Sequence, residues 1–239
     1  MNQIKAQIQE LYGRIATEGR SCGSSCGCSD TSMAEGYANL GDLAVADLGL
    51  GCGIPTEYAD FSEGMTILDL GSGAGIDVFV ASKHTGPAGK VIGIDMTPQM
   101  IERARANALV LGINNVEFRL GEIEQLPVAS NSIDRVISNC VLNLVPDKRR
   151  AFSEIHRVLR PGGAFIVSDM VTRGTMPDAL RDDAVMWAEC VSGAIAIDDY
   201  RGIISDAGFR GGEVVKERMY PEFSRNNFTL LSITIRGTK

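Results

Sequence analysis

Thr66-Ile-Leu-Asp-Leu-Gly-Ser-Gly-Ala-Gly75 is the stretch that fixes the architecture. Ile67, Leu68 and Leu70 form a short apolar run suited to a central parallel strand, and Gly71, Gly73 and Gly75 let the backbone turn sharply and approach a ligand. Ile76-Asp-Val-Phe-Val-Ala81 then has the apolar density of a helix packed on that sheet. A strand, a glycine turn and a helix in this order place a ligand at the carboxyl end of the strand, facing the helix N-terminal amides.

Spacing separates the cofactor classes that use such a turn. A dinucleotide fingerprint requires G-x-G-x-x-G, whereas here the third glycine arrives one residue early and an acid, Asp69, precedes the turn. Val91-Ile-Gly-Ile-Asp95 is the expected second strand, ending in a carboxylate that can accept both hydroxyls of a ribose. Together with Arg160-Pro-Gly-Gly163 before a later strand, these residues resemble the class I S-adenosylmethionine-dependent methyltransferases. That resemblance implies a Rossmann-like α/β fold, with a mostly parallel seven-stranded sheet flanked by helices and closed by a hairpin.

The 239 residues suffice for one large α/β domain with appendages, burying roughly 70 to 75% of the unfolded surface, so no disulfide framework is needed. Lys and Arg number 23 against 30 Asp and Glu, a net charge of -7, with no dense basic cluster. A phosphate-backbone partner is not expected, because such binding rests on counterion release by basic side chains. No apolar run approaches a membrane span, and Met1-Asn-Gln-Ile-Lys5 lacks the order of a signal peptide, so a cytoplasmic location is expected. In that setting the six cysteines read as working thiols.

Along the chain, Ile4, Ile8, Leu11, Tyr12 and Ile15 recur at helical spacing, predicting a first helix that ends before Gly19 and packs against the domain. Cys22, Cys26 and Cys28 come next in a small, flexible stretch, and Gly49-Leu-Gly-Cys-Gly-Ile-Pro55 is a loop presenting Cys52. We divide the chain into a cysteine-containing extension over 1–63, a cofactor-binding core over 64–172 and a substrate-capping insert with closing strands over 173–239. Thr97 is the expected cap of a helix opened by Pro98, Val116–Leu120 a third strand, and Ile133–Ser138 a fourth ending at Asn139-Cys140. A helix is expected from Pro146 through Leu159, a fifth strand over Ala164–Asp169 and a helical insert over 170–200 holding Trp187 and Cys190. A short helix from Asp198 and strands over Glu213–Tyr220 and Phe228–Arg236 complete the chain. His84 and His156 are read as ordinary helix residues.

Cys52, Cys140 and Cys190 occupy three separate segments, two of them beside the expected crevice. Three thiolates meeting at one point would suit a soft, thiophilic centre, whereas zinc normally takes a fourth ligand. The runs Gly49–Gly53, Leu68–Gly73, Gly93–Thr97, Gly121–Glu124, Ser138-Asn-Cys-Val-Leu-Asn-Leu-Val-Pro-Asp-Lys148 and Trp187-Ala-Glu-Cys190 resemble the arsenite S-adenosylmethionine methyltransferases over residues 49 to 208. This resemblance implies trivalent arsenic as substrate on Cys52, Cys140 and Cys190, with no resident metal, and a resolving thiol among Cys22, Cys26 and Cys28. It implies S-adenosylmethionine as methyl donor and S-adenosylhomocysteine as product. The donor's methionine would lie on Gly71, Ser72 and Gly73 after Asp69, its ribose on Asp95, its adenine by Met96, Thr97, Glu122 and Ile123, and its amine near Asn139. Arsenite or its thiol conjugates, and thioredoxin or glutathione as reductant, are the implied partners. Other functions to be tested are methylation of a small organic acceptor and thiol-based arsenite or metal sensing without turnover. Gly49 and Leu50 depart from relatives that carry aromatic side chains before the Cys52 loop.

Overall fold

The structure, a computed structural model, describes residues 2–18, 37, 39–181, 186–187, 190–225 and 227–239. Its strands are β1 (Thr66–Leu70), β2 (Lys90–Asp95), β3 (Val116–Leu120), β4 (Ile133–Asn139), β5 (Leu159–Gly174), β6 (Ile195–Ala196), β7 (Arg210–Arg225) and β8 (Phe228–Thr238). The sheet order is β3-β2-β1-β4-β5-β8-β7, with two-residue β6 alongside β5. The expected seven strands are therefore present, and β6 is an addition. Pairing is parallel from β3 to β5, and β8 is antiparallel to both of its neighbours.

Helix α1 spans Asn2–Glu18, α2 Ile76–Thr85, α3 Pro98–Leu111, α4 Lys148–Val158, α5 Asp178–Arg181 and α6 Ile197–Asp206. Central strands buried on both faces need near-continuous apolar sequence, and Ile67, Leu68, Leu70, Val91 and Ile94 are fully buried. One core layer packs α2 and α3 against the sheet through Val78, Phe79, Ile101 and Phe118. The opposite layer centres on Phe152, whose ring meets Phe165, Tyr200 and Phe209 edge-on. Burying such a ring contributes about 2 to 3 kcal/mol before any edge-to-face term.

Several boundaries depart from expectation for local reasons. Thr97 sits extended at the start of α3, but its side chain makes no cap; its amide instead donates to Asp95 Oδ1 at 2.8 Å. Helix α4 starts at Lys148 and not Pro146, because the Asp147 carboxylate caps it by accepting from the Arg150 amide at 2.9 Å. Strand β5 runs on to Gly174, paired with β8 along its whole second half, so residues 170–174 are strand and not helical insert. Beyond Gly174 come a short helix, α5, and a turn over 190–194 leading to β6. Among the described residues no helix is long and apolar enough to cross a membrane.

Candidate active site

The sheet reverses its winding between β1 and β4, and the crevice opens beyond the carboxyl ends of those strands. A cleft with about 1210 Å³ of atom-free space, part of it open to solvent, lies there, lined by the Gly71–Ala74 turn, Asp95–Thr97, Glu122, Ile123, Asn139 and Cys140. Gly71 is required at its position: φ is +71°, and a Cβ would lie 2.4 Å from Val141. Its amide and that of Ser72 donate to the Ile94 carbonyl at 2.7 and 2.9 Å, fixing the turn against β2.

Asp95 is held by two backbone amides, Gly73 N to Oδ2 at 3.0 Å and Thr97 N to Oδ1 at 2.8 Å. Burial pushes its carboxyl up, and these amides oppose the shift by stabilising the anion. Each oxygen accepts one of these bonds and keeps further acceptor capacity, and Asp95 lines the cleft, which suits a vicinal diol. The Ser72 hydroxyl is buried with no partner among the described residues, a donor left over for a ligand. With a glycine floor that admits no side chain at Gly71, these groups fit an adenosyl donor.

Helix α1 closes the cleft from above. Lys5, Ile8 and Tyr12 line it, Gln9 Nε2 donates to the Met96 carbonyl at 2.9 Å, and Lys5 Nζ bridges Glu122 and Glu124 at 2.8 and 2.6 Å. The packing expected for this helix therefore falls on the cleft itself.

At the other end stands the thiol cluster. Cys52, Cys140 and Cys190 are 2%, 5% and 5% exposed, are free thiols, and pack together with Leu144, Met170 and Val191. Cys190 Sγ donates to the Cys140 carbonyl at 3.2 Å, and the thiols of Cys52 and Cys190 are close enough to that of Cys140 to act on its ionisation. Of the three, Cys140 lines the cleft, so the cluster meets the donor site through it. Hydrogen bonds to its two neighbours, then burial, hold the Cys140 thiol well above its ordinary value; burial pushes Cys52 up. Both are protonated at neutral pH. Among the described residues no group of three His, Cys, Asp or Glu is arranged to hold a metal ion.

A family model described as a methyltransferase domain matches residues 61–208. The crystal structure of an arsenic(III) S-adenosylmethionine methyltransferase from Chlamydomonas reinhardtii superposes with a TM-score of 0.74 at 33% identity, covering 84% of this chain and 75% of that one. The chain belongs to the arsenite methyltransferase family. It is 44% identical over 238 residues to the arsenite methyltransferase of Halobacterium salinarum, covering 92% of this chain and 61% of the relative. The human arsenite methyltransferase is 34% identical over 223 residues, covering 87% and 58%. The chain thus spans about three-fifths of the length of these curated relatives.

Within this family frame, nine of the ten expected donor-site residues line the cleft: Gly71, Ser72, Gly73, Asp95, Met96, Thr97, Glu122, Ile123 and Asn139. Asp69 does not; it lies beneath, 2% exposed, held well above the usual carboxylate range by burial and by the Asp77 and Asp95 charges. Asn139 lines the cleft but spends its amide on the thiol side, accepting from Cys52 N at 3.2 Å and donating to the Gly53 carbonyl at 2.8 Å. Cys22, Cys26 and Cys28 lie outside the described residues. His84 is exposed on α2 and His156 packs on Phe209, as ordinary helix residues.

Two cleft residues escape sequence reasoning. Asp77, 5% exposed in the first turn of α2, accepts from the Tyr37 hydroxyl and from Asn139 Nδ2 at 3.3 Å. Burial pushes its carboxyl up, and those two hydrogen bonds pull it back. An acid in a first helical turn reads as a dipole partner, which hides its role. Tyr37, also bonded to Thr56 Oγ1 at 2.6 Å, lies in a stretch whose weak periodicity does not mark it.

Proposed function

We infer that this protein transfers the methyl group of S-adenosylmethionine to trivalent arsenic held by Cys52, Cys140 and Cys190. The observation that carries this is the packing of three buried thiols from three segments into one cluster, with Cys140 of that cluster lining the donor cleft. The donor supplies an electrophilic methyl carbon. Gly71–Gly73 and Ser72 bed its methionine end, Asp95 takes the ribose hydroxyls, and Met96, Thr97, Glu122 and Ile123 flank the base under α1. Asp77, a buried acid with no cation beside it among the described residues, is suited to the methionine ammonium, and Asn139 ties that acid to the Cys52 loop.

Protonated thiols suit the loading step. Each S–H exchanges with one As–OH, so the proton leaves with hydroxide as water and three sulfur–arsenic bonds form without net charge. With the donor held by these residues, its methyl carbon would be open to the arsenic lone pair, and transfer would leave S-adenosylhomocysteine and formally pentavalent methylarsenic. No general base is required; rate comes from alignment and from exclusion of water by α1 and the apolar thiol cluster. Two cysteine sulfurs leaving arsenic as a disulfide return the electron pair. Cys22, Cys26 or Cys28 supplies the resolving thiol, and thioredoxin or glutathione reduces the disulfide by thiol exchange.

The test is S-adenosylhomocysteine release by the reduced protein with and without arsenite and thioredoxin, with arsenic species separated chromatographically. Arsenite-dependent release with methylated arsenic is expected. Arsenite binding without release indicates a sensor; release with an organic acceptor alone indicates an ordinary small-molecule methyltransferase.

A further inference from the structure

The run Ser138–Lys148 contains two residues that the chemistry above leaves idle, Asn143 and Lys148. Asn143 is fully buried in the 3-10 turn Leu142–Leu144, just after Cys140. Its backbone is anchored through the carbonyl, which accepts from the buried Lys148 Nζ at 2.9 Å; Lys148 Nζ also donates to the Val145 carbonyl at 3.1 Å.

From that fixed base the side chain reaches Cys190. Asn143 Nδ2 donates to the Cys190 carbonyl at 2.6 Å, across 47 residues of sequence. Its Oδ1 is buried with no partner, so the amide's hydrogen bonding among the described residues is this single contact. An apolar side chain of equal volume would fill the space without leaving an acceptor unsatisfied; what it could not do is grip Cys190.

Cys190 needs gripping. Its φ is +66°, and Cys140, whose carbonyl receives the Cys190 thiol, has φ +59°. Non-glycine residues hold such angles only where the surroundings over-determine them. The turn after Cys190 closes on the same residue: a Cβ on Gly193 would lie 2.0 Å from the Asn143 carbonyl oxygen.

We propose that Asn143 is the positioning residue of the thiol site: its amide holds Cys190 in the left-handed conformation against Cys140, and so sets the separation of the two sulfurs without touching the substrate. The identity of the centre that the sulfurs receive rests on the arsenic methylation proposed above; the positioning does not.

The experiment compares the full chain with Asn143→Ala and with Asn143→Gln, which retains the donor. Amide hydrogen exchange is followed at residues 190–194 and at β1, together with affinity for phenylarsine oxide, a dithiol probe, and for S-adenosylmethionine. In Asn143→Ala, exchange over 190–194 rises and phenylarsine oxide affinity falls, each about tenfold, for loss of one buried hydrogen bond. Residues 66–70 and S-adenosylmethionine affinity hold within about twofold, and Asn143→Gln recovers part of the loss. Wild-type exchange over 190–194 in the alanine variant, or acceleration spread evenly over the chain, overturns the proposal. Should Asn143→Ala not fold, Asn143→Asp keeps the shape without the donor and is judged by the same measurements. A wild-type chain that binds the probe yet forms no methylarsenic overturns the proposed function, while exchange still decides the positioning role.

Discussion

The two ends of the cleft are built on opposite principles. At the donor end the backbone does the holding: Gly73 and Thr97 amides grip Asp95, Gly71 and Ser72 amides grip β2, and the groups are polar and close in sequence. At the thiol end the side chains are apolar or weakly polar, two of three cysteines occupy left-handed backbone, and the segments are far apart in the chain. The cleft that fits a common donor is made from one local motif. The thiol cluster proposed for a soft substrate is made from convergence, and its geometry depends on the residues around it.

This contrast can be broken most directly at Cys140, the residue shared by both ends. Cys140→Ser is expected to abolish arsenite-dependent S-adenosylhomocysteine release while S-adenosylmethionine affinity, read by calorimetry, stays within about twofold, since serine keeps the size of the side chain that lines the cleft and leaves Asp95, Ser72 and the glycine turn untouched. Loss of both would mean that the ends are not separable.

The next effect concerns stability below the thiol end. Burial raises the Asp169 carboxyl to about 7, opposed by Lys148 and the Tyr200 hydroxyl, which donates at 2.9 Å. The unfolded chain ionises this group near pH 4, while the folded chain keeps its proton to about pH 7. Stability from this group is therefore greatest below about pH 4 and declines by about 1.4 kcal/mol per pH unit, for a total of about 4 kcal/mol, as pH rises to about 7. Denaturant midpoints across this range should show that slope, and Asp169→Asn should flatten it.

Asp95→Ala acts at the donor end alone. Loss of a carboxylate serving the ribose is expected to weaken S-adenosylmethionine by about 1.5 to 3 kcal/mol, roughly 10- to 150-fold, with phenylarsine oxide affinity unchanged in the same titration. Smallest is Lys5→Ala, which removes partly exposed ion pairs with Glu122 and Glu124. It should raise the KM for S-adenosylmethionine by less than about fivefold, an effect that fades with added salt.

The same division explains what the sequence discloses. The β1 to α2 turn, Asp95 and β3 are legible because strand, turn and helix signals are local, and Val116–Leu120 appears with its expected bounds. The end of β5 is not, because Met170 to Gly174 take their state from β8, sixty residues downstream. Asp77 and Tyr37 stay hidden because each has an ordinary local reading and acquires significance only through its partner. The grouping of Cys52, Cys140 and Cys190 comes from family resemblance and not from spacing, whereas the strain at two of them and the grip of Asn143 exist only in three dimensions.

The hydrogen bond from Ser232 Oγ to the Cys52 carbonyl, 2.6 Å across 180 residues, bears on how the molecule is made. On the ribosome, chain order is also temporal order. The donor cleft has its strands once residue 139 has emerged, whereas the loop carrying the first thiol waits for β8, and the third thiol for residue 190. A nascent chain therefore acquires its donor cleft before it acquires the thiol cluster proposed to hold the substrate.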